Sequence, residues 1–236
     1  WMQTMAQQVL VYRLTGSAAA LGIVSAIGLI PVIPLALWGG SIADRAPRRT
    51  VIIAAQSVMM VQALWLAALT WTGAVQVWHV YAMALLLAAA QAIDLPARQA
   101  FVVDMVTDRE DMTNAIALNS AIFNGARALG PALAGTVVAA IGEGPAFLVN
   151  GISFVAVIAS LLMMRDLPRR VASSRAPFTR HMAEGFRYVF QHRIILVLTS
   201  LVAVSAFLSM PYNTLMPAFA DRVLKESAQP VVDALC

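Results

Sequence analysis

The sequence predicts an all-α integral membrane protein, and three observations carry that reading. Of its 236 residues, 60% are hydrophobic and only 12% are charged, against about 25% charged in a typical soluble domain. The apolar residues come in runs of roughly 20, the length an α-helix needs to cross about 30 Å of hydrocarbon. The formal charge of +4 gathers in the gaps between those runs, where water can hydrate it.

The same distribution excludes other classes. Basic residues spread over the gaps between spans make no nucleic-acid-binding face, so no nucleic acid partner is expected. Cys236, alone at the end of the chain, rules out a disulfide framework and a cysteine metal site. His79, His181 and His192 fall at span ends or in loops with no carboxylate at ligand spacing, so neither metal nor cofactor is expected. A nucleotide-binding loop is also lacking, so any transport runs on an ion gradient or on the substrate's own gradient. An intramembrane enzyme needs a nucleophile and a base at one depth, and no such pair can be built here.

The elements follow in order. Trp1 to Leu14 is too short to cross and reads as the outer half of a first span whose beginning is missing, so the chain is expected to be a fragment. After the turn Thr15-Gly16-Ser17, Ala18 to Ile42 is a second span; Pro31 and Pro34 are tolerable in it where neighbouring helices satisfy the freed carbonyls. Thr50 to Trp71 is a third span. Val77 to Leu95 is a fourth, entered past Gly73 with Trp71, Trp78 and Tyr81 as interfacial residues. Pro96 to Asp111 is expected to be a charged connection, with Thr107 and Glu110 at capping-box spacing to start a fifth helix that runs to Ile141. Gly142-Glu143-Gly144-Pro145 then turns the chain into a sixth span, Ala146 to Met164. Arg165 to Arg193 is a basic loop in which Met182, Phe186, Val189 and Phe190 form the apolar stripe of a helix lying on the membrane surface. Ile194 to Met216 is a seventh span, broken near Pro211, and the polar tail that follows contains no eighth.

Gaps 2–3, 4–5 and 6–7 hold Arg45, Arg48, Arg49, Arg98, Arg109 and the arginines from 165 to 193. The opposite gaps hold Arg13, joined by Arg222 and Lys225 if the tail is counted. The positive-inside rule therefore puts the first set in the cytoplasm.

The turn Gly40-Ser-Ile-Ala-Asp44-Arg45-Ala-Pro47-Arg48-Arg49 joins spans 2 and 3. Its spacing resembles the helix 2–3 loop of the major facilitator superfamily of transporters, with Pro47 where that family usually has glycine. Trp-Met-Gln-Thr-x-Ala-Gln at the start, and Ala-Ile-Asp94-Leu-Pro-Ala-Arg98-Gln-Ala-Phe, resemble the exporter branch that contains the enterobactin exporter and macrolide efflux proteins. The resemblance implies an N-terminal six-helix bundle over residues 1–164 with helix 1 truncated. It further implies a cytoplasmic loop over 165–193, helix 7 over 194–217 and a tail over 218–236. The implied function is secondary active export of a small amphipathic molecule, a siderophore, macrolide or other drug, by alternating access in exchange for protons. The implied setting is the bilayer of a bacterial cytoplasmic membrane. A missing C-terminal half would be required, so the chain alone is expected to be inactive, because one repeat must rock against another.

In that family the charged turn is a conformational latch, which here would comprise Gly40, Asp44, Arg45, Arg48 and Arg49, with Asp94 as their partner on span 4. The alternative is a positive-inside anchor, which needs the arginines but neither the aspartate nor the glycine. Gln91, Asp94 and Arg98 share one helical face. Asp94 is expected near the cytoplasmic end of its span, for pairing with the arginines, for proton carriage or as a solvated helix end. Arg127 falls about 21 Å into the fifth helix from Thr113. With Ser120 and Asn124 it gives that helix a polar face that must look into protein or a water-filled cavity, in a substrate, coupling or structural role. Gly130-Pro131-Ala-Leu-Ala-Gly135 resembles the family's helix-5 antiporter motif, and its small residues suit close packing. Ser205, Ser209, Tyr212 and Asn213 line the cavity in one reading, while the serines bond their own backbone in the other.

Overall fold

The computed structural model describes residues 2–32, 35, 47–106, 109–164, 187–205 and 208. Within these, all regular structure is helical: α1 (Met2–Thr15), α2 (Ala18–Leu29), α3 (Arg48–Trp71), α4 (Val77–Met105), α5 (Arg109–Ile141) and α6 (Glu143–Met163). A further apolar helix, α7, covers Arg193–Ser205. By length and composition α3, α4 and α6 are each able to cross a membrane.

α3 packs between α4 and α6, and α1 meets α2, α4, α5 and α6. The largest apolar cluster joins Leu10 and Val11 of α1 to Leu21 of α2, Leu66 of α3, Val80 of α4 and Phe147 of α6. A second cluster, at the Arg48 end of the bundle, gathers Val51, Ile52, Ala97, Phe101 and Leu161. The outward faces are apolar as well: Val61, Trp65, Ile152 and Leu162 are among many large exposed hydrophobic side chains. A surface of that composition suits lipid rather than water.

Three boundaries differ from expectation. Helix α4 does not end before Pro96 but runs 29 residues to Met105 with Pro96 inside it. Proline costs the hydrogen bond to the carbonyl one turn back, yet Ala97 and Phe101 beyond it are buried in the second cluster, and that packing holds the helix together. The expected turn over Gly142 to Pro145 shrinks to Gly142, which has φ of 87° while α6 begins at Glu143. Glu143 suits a helix N-terminus, whose dipole favours an acidic side chain, and Arg13 binds it at 2.9 Å. Helix α2 is regular only to Leu29; Ile30 then bonds Ile27 in a tighter turn at Pro31. Except for Leu35, residues 33–46, which hold the end of that span and most of the charged turn, lie outside the described residues, as do the Thr107 cap, Met182, Phe186 and the tail. Phe190 is exposed, and Val189 is half-buried.

The start of α4 is held by a reciprocal cap with no counterpart in the motif reading. The Gln76 side chain accepts from the His79 backbone N–H, and His79 Nδ1 accepts from the Gln76 N–H at 3.1 Å. Trp78 Nε1 donates to Gln76 Oε1 at 2.7 Å, which fixes that exposed indole beside the cap.

Candidate functional site

Polar side chains inside this apolar bundle form two tiers along α3 and α4. The first tier lies at the start of α3. Arg48 Nη1 donates to the Ala100 carbonyl at 2.9 Å and to Asp104 Oδ2 at 2.5 Å, crossing from α3 to α4. Arg49 Nη2 donates to the Leu162 carbonyl at 2.8 Å, tying α3 to the end of α6. Three helix ends are thereby joined by two consecutive arginines.

The second tier lies about 15 Å further along α4, at about 1.5 Å per residue. Asp94 is buried there. Its Oδ1 accepts from Gln56 Nε2 of α3 at 3.1 Å, and its Oδ2 accepts from Arg98 Nη2 one turn on. Gln56 is 1% exposed, and its Oε1 has no hydrogen-bond partner among the described residues. Arg98 is different: its side chain is 46% exposed while that of Asp94 is 7% exposed.

This geometry corrects the expected place of Asp94. Because α4 continues through Pro96, Asp94 is well inside the helix rather than at its end, and Arg48 meets Asp104 instead. Gly40, Asp44 and Arg45 lie outside the described residues. Gln91 and Arg98 share an exposed side of α4 around buried Asp94.

The polar residues of α5 lie on a helix that is exposed along most of its length. Asn124 Nδ2 donates to the Ser120 carbonyl at 2.9 Å, and Ser120, Asn124 and Arg127 are all exposed. Ala134 is fully buried, and a Cβ at Gly135 would meet nothing within 4 Å. Gly130 and Pro131 are half-buried within the continuous helix. Ser205 is exposed at the end of α7, whereas Ser209, Tyr212 and Asn213 lie outside the described residues.

Several polar residues escaped the motif reading. Gln3 of α1 accepts from Asn150 of α6 at 2.6 Å, and Gln7 and Gln62 are also buried. A polar amide within an otherwise apolar run was the available signal for these and for Gln56, since hydrocarbon selects against it. Among the described residues no group of histidine, cysteine and carboxylate side chains is placed to hold a metal ion.

Long apolar helices joined by part-buried ion pairs and by the buried Gln56–Asp94 hydrogen bond, with an apolar outer surface, define a polytopic helical membrane protein. The chain belongs to the transmembrane secretion effector family of the major facilitator superfamily, whose model matches residues 1–230. Among curated relatives, the staphyloferrin A transporter of Staphylococcus aureus is 28% identical over 214 residues, covering 88% of this chain and 52% of the relative. Macrolide efflux protein A of Streptococcus pyogenes is 24% identical over 206 residues, covering 86% of this chain and 50% of the relative. The chain thus spans about half the length of these relatives, and they are transporters rather than enzymes. No solved structure matches it.

Proposed function

We propose that this chain forms one half of a secondary active exporter, which moves a small amphipathic molecule out of a bacterial cell by alternating access in exchange for protons. The observation that carries this reading is the exposed polar side of α5. Asn124 and Arg127 lie on a helix whose other exposed residues include Ile116, Leu118, Ile122, Leu129 and Leu133. On the reading that α5 crosses the membrane, such a stripe must face a water-filled cavity or a protein neighbour, because charge in hydrocarbon is costly. On this reading six helices form the N-terminal half, α7 opens the second, and the Arg48 end faces the cytoplasm across the inner membrane. The two relatives suggest a siderophore, a macrolide or a similar compound as substrate.

Reconstitution tests the exchange. Vesicles containing the full-length protein should move labelled erythromycin or staphyloferrin A faster when a pH gradient is imposed, and a protonophore should remove the difference. Transport indifferent to the gradient would refute proton exchange.

In the same reading the charged turn is a latch that closes one face of the transporter. Asp44→Asn should then cut transport about tenfold, the effect of roughly 1.4 kcal/mol, while insertion and expression stay normal. A plain topological anchor needs no carboxylate, so full activity in that variant would favour the anchor. Arg127→Ala separates cavity from scaffold: lost transport with unchanged thermal stability supports a cavity role, and parallel loss of both supports a structural one.

A further inference from the structure

We infer that Gln3 and Gln7 of α1 form a second polar site, which binds a water molecule beside the contact between α1 and α6. Gln3 is 4% exposed and Gln7 is 2% exposed. The Nε2 of each is buried with no hydrogen-bond partner among the described residues. The two residues stand one turn apart on one face of α1, where Cβ atoms are about 5–6 Å apart. Gln3 is held from its other end, since its Oε1 accepts from Asn150 Nδ2 of α6 at 2.6 Å.

Two buried donors select their occupant. An apolar group leaves both bonds unmade, and a cation meets the positive ends of two N–H dipoles. An anion needs a buried countercharge. On α1 the charged residue is Arg13, about 15 Å from Gln3 along the axis and bound to Glu143. Glu143 is in turn the charged residue of α6, and Arg127 of α5 is on an exposed side of its helix. Water fits, because its two lone pairs take both donors, and a buried water characteristically bridges about three polar groups that the protein leaves unpaired. Its own hydrogens turn to carbonyl oxygens of the surrounding helices, each of which has a second lone pair.

The polar tiers of α4 show the same layout with charges in it. Gln3, Ala6, Gln7, Leu10 and Arg13 on α1 have the spacing of Asp94, Ala97, Arg98, Phe101 and Asp104 on α4. Their partners correspond as well. Arg13 and Asp104 each pair with the first residue of a neighbouring helix, Glu143 of α6 and Arg48 of α3. Gln3 and Asp94 each accept from an amide further along those same helices, Asn150 and Gln56. Gln7 therefore has the place of Arg98, whose guanidinium reaches Asp94 directly. Gln7 is shorter and offers a donor where Gln3 also offers one, so the oxygen of a water molecule completes on α1 what the ion pair completes on α4.

A structure of the full-length protein in lipid, at a resolution that shows ordered water, tests the site. The expected result is one water peak within hydrogen-bond distance of both Nε2 atoms. A direct bond between the two amides, or a side chain or carbonyl from another segment in that place, would overturn the proposal. Thermal unfolding of variants tests the shared site independently. Gln3→Asp alone should lower the midpoint by about 5 °C or more, because it buries a carboxylate without a countercharge. Adding Gln7→Arg supplies the guanidinium that α4 uses and should restore most of the loss. A double variant no more stable than Gln3→Asp would show that the two positions do not face one site, and would overturn the proposal even if water is seen near one of them.

Discussion

Gly151→Leu should destabilise the bundle by about 1–3 kcal/mol, the usual cost of overfilling a packed interface. At Gly151 a Cβ would lie 2.7 Å from Leu64 Cδ2, 3.0 Å from its Cγ and 3.6 Å from its backbone nitrogen. This is the contact between α6 and α3, the most extensive helix pair in the structure. Alanine is the milder test, because Leu64 is partly exposed and its terminal methyl can swing aside. Leucine offers no such escape, since further atoms would run into the α3 backbone. Thermal unfolding of the full-length protein in detergent should show the order glycine, alanine, leucine. Adding Leu64→Ala should restore part of the loss, and no restoration would place the strain elsewhere.

Arg48→Ala should be the most damaging single change among the described arginines. Its guanidinium joins α3 to the Ala100 carbonyl and to Asp104, with side-chain exposures of 22% and 13% for the two charged partners. Hydrogen bonds to charged groups contribute about 1.5–3 kcal/mol each when well shielded. Arg49 makes an exposed bond to the Leu162 carbonyl, where water competes, so Arg49→Ala should cost well under half as much. A double-mutant cycle between Arg48 and Asp104 measures the pair directly: a coupling energy near zero would show that Arg48 acts through Ala100 alone.

These contacts bear on what the charged turn does. Arg48 and Arg49 bind within the described bundle, bracing α3, α4 and α6 into one body. In the exporter proposed above, a latch to a second half would fall to other residues of the turn, and Asp44 is our candidate. A rigid body is what rocking-bundle transport requires, because strain at one end must move the whole of it.

The apolar runs made the long helices legible before any coordinates. The boundaries of α3 and the end of α6 fall close to the expected ones because charge and glycine interrupt hydrophobicity at those places. Proline misled at position 96. Its local penalty argues for a helix end, while the packing of Ala97 and Phe101 against α3 and α6, which no local rule contains, carries the helix onward. That one error displaced the carboxylates: it put Asp94 at the level of the arginines and hid Asp104 in a supposed connection. Gln56 was overlooked for a related reason. A lone amide in an apolar run signals a buried partner without saying which helix supplies it, and only the register of α3 against α4 sets it opposite Asp94.

The most direct test of the account asks whether the polar side of α5 faces water. With Cys236 replaced by serine and any other cysteines removed from the full-length protein, Asn124→Cys should react with a membrane-impermeant maleimide in intact membranes. Val61→Cys, on an apolar exposed side of α3, should not. Labelling at Asn124→Cys that is slowed by erythromycin or staphyloferrin A would fit a transport cavity walled by this chain. Equal inertness of the two cysteines would mean that α5 faces lipid or closed protein, and the proposed cavity would have to be abandoned.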